Sequence, residues 1–365
     1  MESIDPTVEL LADIPISDAA EDLFDRQRLA VRLAELAATA PVTAPRVIAL
    51  SGACGEGKSS VLRMVSAVVA ARPGLAIVSV DAQMYASAQA LMAELAAELD
   101  KLFSELGVVD KRDKVRNTLV SYGSMISNVV RFAGVTVDVA GALERSAASL
   151  RAEIAHNLEH AGKRLVIVID HLDRLPPGEL GGAFAALRMY AAIPYIAIVI
   201  AVDRHELATR PAIGGTDPRA FERLVDIELV MPPADRTVLA RVMAGGLERT
   251  AERMRRDLDP VLELFDPEDG VGLALIDTPR DAKRAVNALS AALPLLPPDA
   301  NPYFAALELV LRVLVPELDG TRLATWNRTA EADRETLFAE LAGTLEQHPR
   351  AAAARRALRN LIMGD

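Results

Sequence analysis

Short, almost continuously apolar runs alternate along the chain with longer stretches whose apolar residues recur every three or four positions. The short runs predict strands buried on both faces, and the longer ones predict helices that cover them. Together they describe an α/β fold with a mainly parallel sheet. RVIALSG (46–52) is the first expected strand, and SSVLRMVSAVVAARPG (59–74) the helix after it, stopped by Pro73-Gly74. LAIVSVDA (75–82), RLVIVID (164–170), YIAIVIAVD (195–203) and the shorter IELVM (227–231) follow as strands. A helical insert of roughly 87–160 separates the second strand from the third. From PPADR (232–236) onward the pattern is helical, and the proline-rich PLLPPDANP (294–302) divides it. The expected organisation is an α/β core over 1–231, a helical lid over 232–293 and a C-terminal helical module over 294–365.

Composition narrows the function classes. Formal net charge is −11 and aromatic residues make up 4% of the 365 positions, so a general nucleic-acid surface with stacking platforms is not expected. Cys54 is the single cysteine, which excludes an intrachain disulfide and a cysteine-rich zinc site, and suits a reducing cytoplasm. The acidic start, MESIDPTVELLADIPISD, lacks the basic-then-apolar order of a secretory signal. Residues 117–143 are mildly apolar, but Arg131 and Asp138 interrupt them. A spanning helix needs about 20 nearly uncharged residues, so a soluble chain is expected, with membrane or partner contact by this segment as the alternative.

The strongest local signal is the stretch between the first strand and its helix. Gly52, Ala53, Cys54, Gly55, Glu56, Gly57, Lys58 and Ser59 fit G-x-x-x-x-G-K-S/T in full, with Ser60 following. A bare loop lets successive backbone N–H groups and a helix N-terminus wrap a phosphate chain. Lys58 is then expected on the β- and γ-phosphates, and the Ser59 hydroxyl on Mg²⁺. Cys54 inside the loop is read as packing or incidental, with a redox sensor as the alternative.

The third strand ends in Asp170, His171 and, two residues on, Asp173. A strand-end carboxylate beside such a loop suits Mg²⁺, and Asp170 is the candidate. Asp173 or His171 is the candidate to polarise the attacking water, and either has a structural reading instead. Asp203 ends the fourth strand, where it is either a phosphate sensor acting through water or a helix cap. Arg219 and Arg223 lie four apart before the fifth strand, as candidate transition-state arginines or as a solvated basic face. Arg280 lies in the first turn of a helix that Thr278 and Pro279 open. A cation there opposes the helix dipole, so a phosphate or an acidic neighbour is expected to answer it.

In this order and spacing, residues 13–290 resemble the KAP family of P-loop NTPases, in the additional-strand division near the AAA+ and STAND ATPases. DIPISDAAEDLFDRQRLAVRLAELA resembles the family's N-terminal box, and SVDAQMYAS loosely its "F-N-A-W-x-Y" strand. IDHLDRLPP is similar to "I-D-D-L-D-R-C-x-P", AIVIAVDRHEL to the "D-R-x-x-L" strand, and FERLVDIELVMPPAD and TPRDAKRAVNAL to the boxes that follow. The resemblance implies Lys58 and Ser59 on phosphate and Mg²⁺, Asp170 on Mg²⁺, Asp173 as the remaining acid of that loop, Arg280 as a lid arginine and Arg223 as the basic position before the fifth strand. It also implies adenine as the base, and no guanine-reading N-K-x-D motif is present. His171 departs from the family's second acid, Cys54 from a tryptophan in the loop and Gln83 from a tryptophan after the second strand, and no convincing membrane helices follow the loop.

Two functions follow as expectations. One is Mg²⁺-dependent ATP hydrolysis coupled to conformational change or to assembly as a homo-oligomer or with a partner protein, in a bacterial phage-defence or signalling setting. The other is a hydrolysis-poor, ATP-gated switch or scaffold.

Overall fold

The computed structural model describes residues 10–16, 18–39, 46–106, 140–209, 219–254, 257–297, 299–346 and 348–364. The chain divides into two compact units. One spans Pro15–Met231, and the other joins Pro232–Asp365 to the start of the chain as far as Ile14.

The first unit is built on five parallel strands: β1 (Val47–Ser51), β2 (Leu75–Asp81), β3 (Arg164–Asp170), β4 (Ile196–Val202) and β5 (Ile227–Val230). Their order across the sheet is β2-β3-β4-β1-β5, so β4 lies between β1 and β3. The sheet is parallel throughout, as the apolar runs predict, and the expected strands stand within a residue or two of their places.

The period of two in a strand explains how one apolar run serves two cores. Ile48 and Leu50 of β1, Val166 and Val168 of β3, and Ala197, Val199 and Ala201 of β4 pack on one face. Helices α1 (Gln27–Thr39) and α2 (Lys58–Ala70) cover them with Leu33, Val61 and Val65. Val47 and Ala49, Leu165, Ile167 and Ile169, and Ile196, Ile198 and Ile200 pack on the other face. There they meet α3 (Ala88–Glu105), α4 (Ala140–His160) and α5 (Leu180–Ala191). Each large aliphatic side chain buried this way contributes about 1.5–3 kcal/mol relative to exposure. The edge strands are less covered: β2 alternates buried with more exposed positions, and β5 half-buried with exposed ones. Two short helices, α6 (Arg204–Thr209) and α7 (Ala220–Leu224), follow β4. Of the helical insert, α3 and α4 are described. Residues 117–139 of the mildly apolar segment lie outside the described residues, and no described helix is long and apolar enough to cross a membrane.

The second unit is helical: α8 (Arg236–Met254), α9 (Asp259–Glu263), α10 (Pro279–Ala292), α11 (Pro302–Leu314), α12 (Gly320–Leu323), α13 (Arg334–Gly343) and α14 (Ala351–Met363). Thr278 and Asp281 form a capping box that satisfies the first N–H groups of α10, as the Thr-Pro start predicts. Gly246 of α8 faces Val286 of α10, and a Cβ there would stand 2.4 Å from Val286 Cγ1, so the small residue sets the approach of these two helices. Three side chains of α10 stitch the start of the chain to this unit. Asn287 accepts from the Leu11 N–H (2.7 Å) and donates to the Leu11 carbonyl (2.9 Å), Lys283 donates to the Ala12 carbonyl, and Arg280 pairs with Asp13. Residues Leu11 to Asp13 are thereby tied to the helix that the Pro-Arg box opens.

Candidate functional site

The carboxyl ends of β1, β3 and β4 carry the site, which is where open α/β sheets bind ligands. The glycines of the loop after β1 answer to different demands. Gly57 is the N-cap of α2 with φ 96°, a left-handed conformation that favours glycine. Gly52 is hemmed in by its neighbours: a Cβ there would lie 2.3 Å from Glu56 Oε2 and 2.8 Å from Met231 Cβ. The Gly52 N–H donates to the Val202 carbonyl at 3.2 Å, which pins the loop to β4.

Lys58 is the first residue of α2, and its ammonium spans the loop, donating to the carbonyls of Gly52 (2.7 Å) and Ala53 (2.9 Å). Glu56 Oε2 accepts the Ala53 N–H at 2.9 Å. Burial pushes the Glu56 carboxyl above its usual range, while that N–H and the charges of Lys58 and Arg26 pull it down. Cys54 is exposed rather than packed, and its sulfur accepts from Arg174 Nη2 at 3.4 Å. The Ser60 hydroxyl accepts the Ile16 N–H at 3.2 Å, so it ties down the entering chain rather than facing the loop's concavity.

Asp170 ends β3 directly opposite Asp81, which ends β2. The next residue, His171, has φ 52° and ψ 35°. A non-glycine residue in that left-handed region is uncommon and costs about 1 kcal/mol, and here it turns the imidazole back toward the loop. His171 N–H donates to Asp170 Oδ1 at 2.8 Å, Nδ1 lies 3.0 Å from Asp81 Oδ1 and 3.6 Å from Asp170 Oδ2, and Nε2 lies 3.3 Å from Ser59 Oγ.

Asp173 is 6% exposed, in a one-turn helix of residues 172–174. Its Oδ2 accepts the Asp203 N–H at 3.2 Å, while Oδ1 is buried without a hydrogen-bond partner among the described residues. Burial raises the Asp173 carboxyl above the usual range, and the Lys58 charge and two backbone N–H groups oppose that rise. Asp203 has the capping role: its Oδ1 accepts the N–H groups of His205 and Glu206 in the first turn of α6. Arg219 is the N-cap of α7 rather than a residue of it, and Arg223 lies in its last turn; both are exposed. The partner the dipole argument requires for Arg280 is Asp13, whose Oδ2 accepts from Nε at 2.7 Å.

Two residues of the site, Asp81 and Arg26, were not singled out by motif, and Glu56 was named only as a member of the loop. Asp81 had a visible signal, because SVD and VID end neighbouring strands in the same way. Glu56 is a variable position of the loop motif. Arg26 is 5% exposed with Nε and Nη2 unpartnered among the described residues, and Glu56 and Asp22 are its charged neighbours. Its burial is a tertiary fact that no local pattern announces.

Ser59 and Asp170 are hard oxygen donors on the two sides of one imidazole, which suits Mg²⁺. Among the described residues no group of three or more His, Cys, Asp and Glu side chains is arranged to hold a metal. Such a cation would draw its remaining ligands from phosphate oxygens and water.

A phosphate-cradling loop on one strand, with an acid on the strand beyond its neighbour, defines the class: a nucleotide-binding P-loop NTPase with an additional strand between loop and acid. Within that class the chain belongs to the KAP family, whose P-loop domain matches residues 26–296. It is 24% identical over 315 residues to the phage T7 exclusion protein of Escherichia coli K12, covering 76% of this chain and 42% of that one, so the chain spans less than half of that relative's length. Among solved structures it is similar to the Aeropyrum pernix ORC1 protein in complex with DNA, with 19% identity, TM-score 0.42, and coverage of 93% of this chain and 83% of that one. Domain III of the Thermotoga maritima replication initiation protein DnaA gives 14% identity, TM-score 0.37, and coverage of 80% and 91%.

Proposed function

We propose that this chain binds ATP with Mg²⁺ and hydrolyses it, coupling the nucleotide state to assembly. The observation that carries the reading is Asp173. A buried carboxylate is costly unless both oxygens are used. Here one oxygen is fixed by a backbone N–H and the other has no partner among the described residues, beside the P-loop lysine. A water that donates to Oδ1 would be both bound and polarised there.

In this reading the loop N–H groups and Lys58 hold the β- and γ-phosphates. Ser59 and Asp170 would hold Mg²⁺, which neutralises charge on the phosphates when bound. Asp173 orients the water and takes its proton as the water oxygen bonds to the γ-phosphorus and the bond to ADP breaks. The histidine at 171, where the family has a second acid, is what favours the alternative, a slow switch. Single-turnover phosphate release against nucleotide binding separates the two.

Arg223, exposed beside the edge strand β5, is proposed to serve a neighbouring copy's nucleotide. Specific activity is then expected to rise with protein concentration in wild type and to stay flat in Arg223→Ala; a flat wild-type profile contradicts the assignment. The name of the E. coli relative supports a role in excluding phage. Plaque counts on a host expressing the whole gene product are expected to fall at least tenfold and to recover with Lys58→Ala. Equal counts with and without expression argue against the defence role.

A further inference from the structure

His171 replaces an acid next to the metal candidate, and Gln83 replaces a large aromatic two residues after Asp81. The structure joins both departures in one hydrogen-bonded row. Gln83 donates to Asp81 twice, from its backbone N–H to Oδ1 (3.1 Å) and from Nε2 to Oδ2 (2.8 Å). Asp81 Oδ1 then faces His171 Nδ1 at 3.0 Å, and His171 Nε2 faces Ser59 Oγ at 3.3 Å.

We propose that His171, oriented by Asp81, is a positioning residue that turns the Ser59 hydroxyl toward the metal. Two carboxylates lie on the Nδ1 side, at 3.0 and 3.6 Å, and an ionised carboxylate only accepts. Nδ1 therefore carries the hydrogen. In the neutral ring Nε2 is then an acceptor, and the partner it meets is the Ser59 hydroxyl. A serine has one hydrogen. With that hydrogen directed at Nε2, the lone pairs of Ser59 Oγ are free for a cation.

Groups that orient a metal ligand from behind are worth about 10–100-fold in metal affinity. The left-handed backbone at His171 fits this role, because it swings the ring from the end of β3 across to the first turn of α2. Gln83 has its own part: it fixes both carboxylate oxygens of Asp81, which leaves the imidazole a rigid partner. The replaced acid is thus not simply lost, since its place is taken by a group that acts on the metal ligand.

This inference rests on the proposal that Ser59 binds Mg²⁺, and its test keeps the two apart. The probe is a fluorescent N-methylanthraniloyl ATP, bound to the full chain in EDTA and then across a Mg²⁺ titration. For His171→Ala, affinity in EDTA is expected to stay within twofold of wild type, which also reports an intact fold, while the Mg²⁺ midpoint rises about tenfold. Asp81→Asn is expected to shift the midpoint in the same direction. His171→Gln, whose amide oxygen reaches as far as Nε2, is expected to restore most of the shift. In a Ser59→Ala background, His171→Ala is expected to add nothing, because the histidine acts through that hydroxyl. An unchanged midpoint in His171→Ala, or a further shift on top of Ser59→Ala, overturns the proposal. A wild type whose binding ignores Mg²⁺ altogether instead overturns the metal reading on which it rests.

Discussion

Lys58→Ala is expected to weaken ATP binding at least 100-fold, a loss of about 2.8 kcal/mol at the affinity scale of tenfold per 1.4 kcal/mol. Two losses combine. The ammonium is the one loop side chain suited to meet the phosphate charge, and charge-assisted hydrogen bonds are about twice as strong as neutral ones. Its contacts with the Gly52 and Ala53 carbonyls, at 2.7 and 2.9 Å, also hold the loop open as a cradle, and alanine removes both. A third consequence is electrostatic. Lys58 is the leading influence that pulls the Asp173 carboxyl back toward its ordinary range, so its removal lets burial raise that carboxyl further. Isothermal titration of ATP into wild type and variant measures the loss. Equal affinities would remove the P-loop from the account.

Asp173→Asn is expected to cut single-turnover hydrolysis by about 10²–10⁴, the range of a positioned general base, while ATP affinity stays within threefold. Asparagine keeps an oxygen for the Asp203 N–H and loses the charge. The same change is expected to stabilise the fold at neutral pH by about 1 kcal/mol, roughly 2–4 °C in a unit of this size. The sign follows from linkage. Burial raises the Asp173 pKa in the folded state, so the penalty for its charge is full above that raised value and absent below the ordinary carboxylate value near about 4. Catalysis runs the other way: a base works deprotonated, so wild-type turnover falls as pH drops through the raised value, and that limb disappears in the variant. Thermal melts and single-turnover profiles of the two proteins across pH 4–8 check the pair of signs. A variant that is both less stable and fully active would show Asp173 to be structural.

Much of this site is legible in the sequence because its parts are local. A glycine-rich turn needs its glycines for φ and for close approach, and a strand that ends in Asp at the sheet edge of a loop has few other uses. The register of β2 and β3, with Asp81 opposite Asp170, follows from two apolar runs of equal length. Other features depend on tertiary placement. Nothing local tells whether Asp203 caps a helix or faces a phosphate; its bonds to His205 and Glu206 decide for the cap. Arg280 meets Asp13 across more than 260 positions of sequence. Cys54 looks like packing inside an apolar context, yet it is exposed beside Arg174. The His171 ring crosses to Ser59 only because its backbone is left-handed, a conformation the sequence HLDR does not demand.

The measurement that tests the central claim most directly is single-turnover release of phosphate from Mg²⁺-ATP, with enzyme in excess, by wild type and Asp173→Asn at matched occupancy. The account predicts phosphate release by wild type and a loss of at least 100-fold in the variant with binding retained. Tight binding of ATP by wild type with no phosphate released would contradict it, and the chain would then be a switch that holds its nucleotide.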